Sequence, residues 1–95
     1  MERTYYDGQP IRFVDPQGAH HDALVTRWWC WNGERYTIPD AAWVQANGEP
    51  GCNLVYVTSD KSKEDPYGLQ LERATSVTHQ TKQAAPGNFW YWPGT

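Results

Sequence analysis

Short apolar runs, each followed by polar or turn-forming residues, recur along this chain and predict a series of β-strands. In the run 69–77, Leu69, Leu71 and Val77 alternate with polar neighbours, and only Arg73 interrupts the apolar side. This is the two-residue period of a strand with one buried face. The run 52–58 is rich in the β-branched and aromatic residues that favour strands. By the same reasoning we predict strands near 10–14, 21–31, 52–58, 69–77 and 88–92.

Turn signals separate these runs. The sequence Asp-Pro-x-Gly occurs at 15–18 and again at 65–68, and its residues suit a tight turn. Residues 32–51 are predicted to form an excursion from the strands, with at most a short helix near 39–46. Pro39 at the start of that helix and an Asn-Gly pair after it are the expected boundary signals.

Five short strands in a chain of 95 residues predict an all-β fold with a single domain over 1–95. The expected architecture is a small antiparallel five-stranded barrel of the SH3-like type, with an insertion at 32–51. An OB-like barrel or a small sandwich is the alternative. The apolar pattern also predicts a core that includes at least one of Trp28 and Trp29. The other predicted core residues are Phe13, Leu24, Val55, Val57, Leu69 and Leu71.

Charge and hydropathy narrow the classes of partner. The formal net charge is -3, and the 8 Lys and Arg residues are spread along the chain. A nucleic-acid-binding protein normally gathers basic side chains where phosphates lie, so nucleic acid is disfavoured as a partner. No apolar stretch approaches the roughly 20 residues that span a bilayer, and the N-terminus lacks a secretory signal. We therefore expect no membrane partner and an origin in a cytoplasm.

Residues with catalytic or metal-binding chemistry lack the spacing that such sites need. The potential ligands His20, His21, Cys30, Cys52 and His79 contain no C-x-x-C pair and no H-x3-5-H pair, so they do not match a structural zinc site. The chain also has no nucleophile elbow and no glycine-rich phosphate loop. We predict that the protein is not an enzyme and holds neither a metal nor a cofactor. The two cysteines are expected to be reduced, with a disulfide between them left open.

Aromatic residues are the most prominent chemistry of the chain, which has 6 tryptophans. Neighbours on a strand face opposite sides, so Trp90 and Trp92 share one face of the last strand and Phe89 and Tyr91 share the other. One of these pairs can close the barrel while the other stays available to a partner. Trp and Tyr are common anchors at protein interfaces. The predicted protein-binding residues are Trp90, Tyr91, Trp92, Tyr5 and Tyr6.

Several segments together resemble a group of short uncharacterised tailed-bacteriophage proteins. The segments are DPQG at 15–18, HDALVT at 21–26, NLVYVTSD at 53–60, DPYG at 65–68, ERATSVTH at 72–79 and GNFW at 87–90. Residues 28–50 fall outside the resemblance. It implies a phage origin, and it carries no catalytic residue over to this chain.

The resemblance implies two roles. The first is a non-enzymatic virion protein on the capsid surface, which decorates or cements the head by binding the major capsid protein or another virion protein, with self-association as a further option. The alternative is a cytoplasmic phage regulator or anti-defence protein that binds a host protein or a small ligand. A third role, in nucleic-acid binding, is disfavoured by the scattered basic charge.

Overall fold

Seven strands and one α-helix lie in the part of the chain that the computed structural model describes, which is residues 4–30, 37–58, 62, 64–69, 71–82 and 87–94. In chain order the elements are β1 (Pro10–Val14), β2 (His20–Trp29), α1 (Ala41–Asn47), β3 (Gly51–Val57), β4 (Glu64–Asp65), β5 (Gly68–Leu69), β6 (Leu71–His79) and β7 (Phe89–Tyr91). A short 3-10 helix, Gln80–Lys82, directly follows β6.

Five of these strands close into a barrel in the order β1, β2, β3, β6, β7. The neighbouring pairs β1–β2, β2–β3 and β3–β6 are antiparallel. The last strand, β7, pairs antiparallel with β1 and parallel with β6. Strands in a closed ring of five cannot all alternate in direction, so one parallel pair is a geometric necessity. The predicted all-β five-stranded barrel is confirmed, and it is consistent with a small SH3-like barrel. The two remaining strands, β4 and β5, form a hairpin at the second Asp-Pro-x-Gly turn.

Two irregularities in strand register help the sheet to curl. The pairing of β2 with β3 shifts between Val25 and Arg27, and after this bulge the inward position is Trp28. The pairing of β3 with β6 shifts near Ser76, which takes a φ of 56° and donates its N–H to Asn53 Oδ1 at 3.0 Å. Bulges increase the local twist of a strand, which a small closed barrel needs. The first bulge also explains why the apolar residues of β2 do not follow strict alternation.

Aromatic rings fill much of the barrel interior. Trp28 and Trp90 are almost fully buried, and their ring centroids lie 5.1 Å apart in an edge-to-face contact. Tyr5 and Trp92 pack beside Trp28, with centroids 5.2 and 5.9 Å away. Smaller side chains from the strands complete the core. They are Ile11, Phe13, Ala23, Val25, Cys52, Leu54 and Val77.

The predicted core is correct in part. Phe13 and Trp28 are buried as predicted. Val55 is only half-buried. The structure describes Leu69 as part of β5 but does not describe its side chain, so this prediction lies outside the described part of the chain. The prediction is wrong for three residues, which the structure shows to be exposed. These are Leu24, Val57 and Leu71.

The error has one cause, which is the choice of face. On β3 the side chains of Cys52 and Leu54 enter the core, so their neighbours Val55 and Val57 face outward. A strand alternates its side chains, and a one-residue error in assigning the inner face exchanges the whole set. The periodicity of the sequence gives two faces for each strand but does not say which of them is inside.

The excursion between β2 and β3 contains the one described α-helix. α1 begins after Asp40, whose side chain accepts a hydrogen bond from the N–H of Trp43 at 2.8 Å. It ends at Gly48, whose φ of 83° favours glycine. The helix therefore spans 41–47 rather than 39–46, because Asp40 supplies the N-cap. Residues 32–36 of the predicted excursion lie outside the described part of the chain.

Candidate functional site

Three of the aromatic residues predicted to bind protein are in the barrel interior. Trp90, Trp92 and Tyr5 have relative exposures of 0%, 7% and 6%. Trp90 Nε1 donates a hydrogen bond to the carbonyl of Pro50 at 3.0 Å. The Tyr5 hydroxyl and Trp92 Nε1 both donate to the carboxylate of Glu49, at 3.2 and 3.0 Å. These side chains close the barrel and hold both ends of the chain on one carboxylate, so they are not accessible to a partner in this fold.

The other two predicted residues lie at the surface. Tyr91 is half-buried, its hydroxyl lies 2.8 Å from His20 Nδ1, and it lines a groove of about 360 Å³ with Phe89 and Gln80. Tyr6 is 48% exposed. The aromatic pair of β7 that stays available is therefore Phe89 and Tyr91, and the predicted set does not form one surface.

An exposed apolar surface lies instead on the outside of β2, β3 and β6. Its residues, termed here the apolar face, are Leu24, Val55, Val57 and Leu71. Leu24 lies opposite Val55, and Val57 lies opposite Leu71, so the four side chains form one contiguous block. Leu24, Val57 and Leu71 are 47%, 55% and 61% exposed. Apolar side chains that are grouped at a surface, rather than scattered over it, mark a place of interaction.

The surface at the apolar face dips into a shallow groove with a volume of about 340 Å³. Pro10 and Pro93 border the groove, and Asp22 is the one charged residue among the described side chains that line it. Apolar walls of this kind release water readily and fit an apolar side chain of a partner. The groove thus extends the area over which the apolar face can make contact.

Charged side chains lie at two corners of the apolar face. Asp22, two residues before Leu24 on β2, forms an ion pair with Arg12 of β1. The Asp22 side chain is nevertheless 90% exposed. On the far side, Arg73 of β6 lies opposite Val55. The block therefore has an acidic corner on β2 and a basic corner on β6.

Asp15 and His21 form a partly buried pair at the turn between β1 and β2. His21 Nε2 lies 2.8 Å from Asp15 Oδ2, and Asp15 Oδ1 accepts the N–H groups of Gln17 and Ala19 at 2.9 Å each. Burial by itself would raise the pKa of Asp15. The hydrogen bonds from His21 and from the two N–H groups outweigh burial and lower this pKa. The carboxylate anchors the turn.

His79 is buried in the barrel wall, with its ring centroid 4.7 Å from that of Trp90. Burial lowers the pKa of His79, the nearby Lys82 lowers it further, and Glu49 acts in the opposite direction. Nδ1 accepts the N–H of Thr81 at 3.3 Å, which a neutral ring with its proton on Nε2 can do. The fold therefore favours the neutral imidazole.

Both cysteines are free and buried. Burial raises the pKa of Cys52, so this thiol stays protonated and packs as a small apolar side chain. Within the described ranges, no group of three His, Cys, Asp or Glu side chains is placed to hold a metal ion. Among the residues that the structure describes, no helix has the length and apolar character needed to cross a membrane.

Comparison with known proteins gave no matching family model, no matching curated protein and no matching solved structure.

The sequence does contain a signal for the apolar face. β3 includes the uninterrupted run Leu54-Val55-Tyr56-Val57. A strand with apolar residues on both faces is typical of a sheet that is covered on both sides. The inner face of β3 packs in the barrel, and the same pattern indicates that the outer face is also suited to being covered.

Proposed function

We propose that this protein is a non-enzymatic contact protein, which acts by docking its apolar face on the surface of another protein. The observation that carries the proposal is the grouping of Leu24, Val57 and Leu71, each about half exposed, on neighbouring strands. Covering one half-exposed aliphatic side chain gains on the order of 1 kcal/mol, so these three gain roughly 3 kcal/mol together. That gain corresponds to about a 100-fold change in affinity.

The proposed setting is the virion of a tailed phage, where the protein decorates or cements the capsid through the major capsid protein or another virion protein. The likeness of segments 53–60, 65–68 and 72–79 to phage proteins supports this setting. The closed barrel supports docking by the apolar face, because a face on a barrel wall is already ordered before contact and little conformational entropy is lost on docking.

Mass spectrometry of purified virions tests the setting. We expect many copies of the protein in each particle. If the protein is made in infected cells but is missing from particles, the virion role is wrong. The alternative of a cytoplasmic regulator or anti-defence protein, which would use the same surface on a host protein, would then be favoured.

Two lysine substitutions test the surface. Leu71→Lys places a charge inside the apolar face, and we expect it to weaken binding to particles by 30-fold or more, because covering an ammonium group without a partner is costly. Thr75→Lys is the matched control, since Thr75 is an exposed residue of the same strand outside the apolar face. Circular dichroism verifies that both variants keep the fold. Equal occupancy of particles by the two folded variants would show that the apolar face is not the docking surface.

Tyr91 and Tyr6 remain predicted contact residues outside the apolar face. Tyr91 lies in the groove with Phe89 and His20, and Tyr6 lies near the N-terminus. Tyr91→Ala in the same particle assay measures whether this groove adds to docking. A loss of occupancy like that of Leu71→Lys would extend the contact surface to β7.

A further inference from the structure

The apolar face has a shape and charge pattern that are complementary to a copy of itself. Adjacent strands lie about 4.8 Å apart, and alternate residues on one strand lie about 6.7 Å apart. Leu24 and Leu71 therefore occupy opposite corners of a block of roughly 10 by 7 Å, with Val55 and Val57 between them.

The remaining two corners of that block carry opposite charges, with Asp22 on β2 and Arg73 on β6. A two-fold axis that lies in the surface along the diagonal from Leu24 to Leu71 would bring each of these leucines against its own counterpart in a second copy. The same rotation would place the acidic corner of one copy against the basic corner of the other. Because a two-fold interface is self-complementary, this charge contact forms twice.

We propose that in the free protein a second copy of this chain covers the apolar face in this two-fold arrangement. The inference rests on the proposed function, since both take the apolar face to be a contact surface. The corner charges select this occupant. Two-fold packing along the diagonal pairs each acid with a base, and like charges at both corners would repel in the same arrangement. The exposed Asp22 carboxylate retains room for a second partner besides Arg12.

The dimer is expected to be weak and exchangeable. The block is far smaller than the roughly 800 Å² that each partner buries in a stable complex, so we expect a Kd of about 10–100 μM. A second copy that binds this weakly is readily displaced from the apolar face by a larger protein surface. Self-association of the free protein and docking on a particle are therefore alternative states of one surface.

Sedimentation equilibrium of the full chain from about 5 to 500 μM tests the inference. We expect a monomer–dimer equilibrium for the parent protein, a Kd at least 30-fold weaker for Leu71→Lys, and an unchanged Kd for Thr75→Lys. A parent protein that is monomeric throughout this range, or a Thr75→Lys variant that dissociates as much as Leu71→Lys, would overturn the proposal.

Charge exchange tests the two-fold arrangement itself. Asp22→Lys and Arg73→Glu each put like charges together at both corners, and we expect each variant alone to dimerise about 10-fold more weakly. In an equimolar mixture both corners of the mixed dimer again join opposite charges, so dimerisation returns to the level of the parent. A mixture that stays as dissociated as its components contradicts the arrangement.

The inference and the proposed function fail separately. A monomeric parent protein whose Leu71→Lys variant is lost from particles removes the dimer and keeps the function. A dimeric parent protein that is missing from particles removes the function and keeps the dimer.

Discussion

Leu54 and Leu71 offer a direct test of which face of the sheet is inside. They carry the same side chain on the neighbouring strands β3 and β6. Leu54 is 1% exposed, whereas Leu71 is 61% exposed. Substitution of each by Ala removes the same atoms, so the difference in unfolding free energy between the two variants reports the difference in burial.

The structure sets the expected magnitudes. Leu54→Ala empties space in a core that the aromatic rings and strands enclose, and such changes cost about 2–5 kcal/mol. Leu71 has lost only about two fifths of its accessible surface, so its truncation forfeits about 0.8 kcal/mol of a full burial worth roughly 2 kcal/mol. In a domain of this size 1 kcal/mol moves Tm by about 4–8 °C. We therefore expect Leu54→Ala to lower Tm by about 10–30 °C and Leu71→Ala by about 5 °C.

Urea and thermal unfolding, followed by far-ultraviolet circular dichroism and tryptophan fluorescence, measure both values. The measurements belong at a few μM protein, where the free chain is expected to be monomeric. The m-values of the two variants should equal that of the parent, which shows that the denatured states are comparable. A Leu71→Ala variant as unstable as Leu54→Ala would refute the assignment of the inner face and, with it, the apolar face.

Three further substitutions probe polar side chains that are buried or partly buried, namely His79, Asp15 and Glu49. The pKa of His79 is lowered from an ordinary value of 6.5, so the stability that the neutral ring provides is fully present above that pH and falls as the pH drops toward the lowered pKa. His79→Gln should therefore remove the dependence of the unfolding free energy on pH in urea titrations between about pH 7 and 5. An unchanged pH dependence in the variant would contradict this. The pKa of Asp15 is likewise lowered from 3.8, so the stabilisation by its carboxylate is present above about pH 4 and is lost in stronger acid. Asp15→Asn should reduce the dependence of the unfolding free energy on pH in that acid range. An identical midpoint of acid unfolding in the variant would contradict this assignment. Glu49→Ala removes the carboxylate that accepts hydrogen bonds from Trp92 Nε1 and the Tyr5 hydroxyl, and it should cost about 1–3 kcal/mol in urea unfolding, with Glu49→Gln milder. Full stability in Glu49→Ala would show that this carboxylate does not hold the chain ends.

Local chemistry determined where the elements lie. The alternating and β-rich runs predicted the strands, and the described bounds of β1 and β3, Pro10–Val14 and Gly51–Val57, differ from the predicted ranges by at most one residue at either end. The second Asp-Pro-x-Gly sequence forms the turn of the β4–β5 hairpin. These features depend on a few neighbouring residues, so a sequence specifies them without reference to the rest of the fold.

The candidate site was predictable only in part. The abundance of aromatic residues predicts a protein-binding surface that includes Trp90 and Trp92, but the structure buries both of these side chains. Indole rings are large and carry a single N–H group. Once Pro50 and Glu49 accept those N–H groups, nothing opposes burial of the rings.

Only the tertiary structure decided which face of each strand is inside and where the barrel closes. The interior has a fixed volume, and the rings of Trp28, Trp90, Trp92 and Tyr5 from distant parts of the chain fill much of it. The bulge after Val25 then exchanges the inward positions along β2. Periodicity assigns two faces to a strand, whereas the inner face depends on register and on what else occupies the core. The sequence by itself therefore determined the strands and their turns, and long-range packing turned Leu24, Val57 and Leu71 outward.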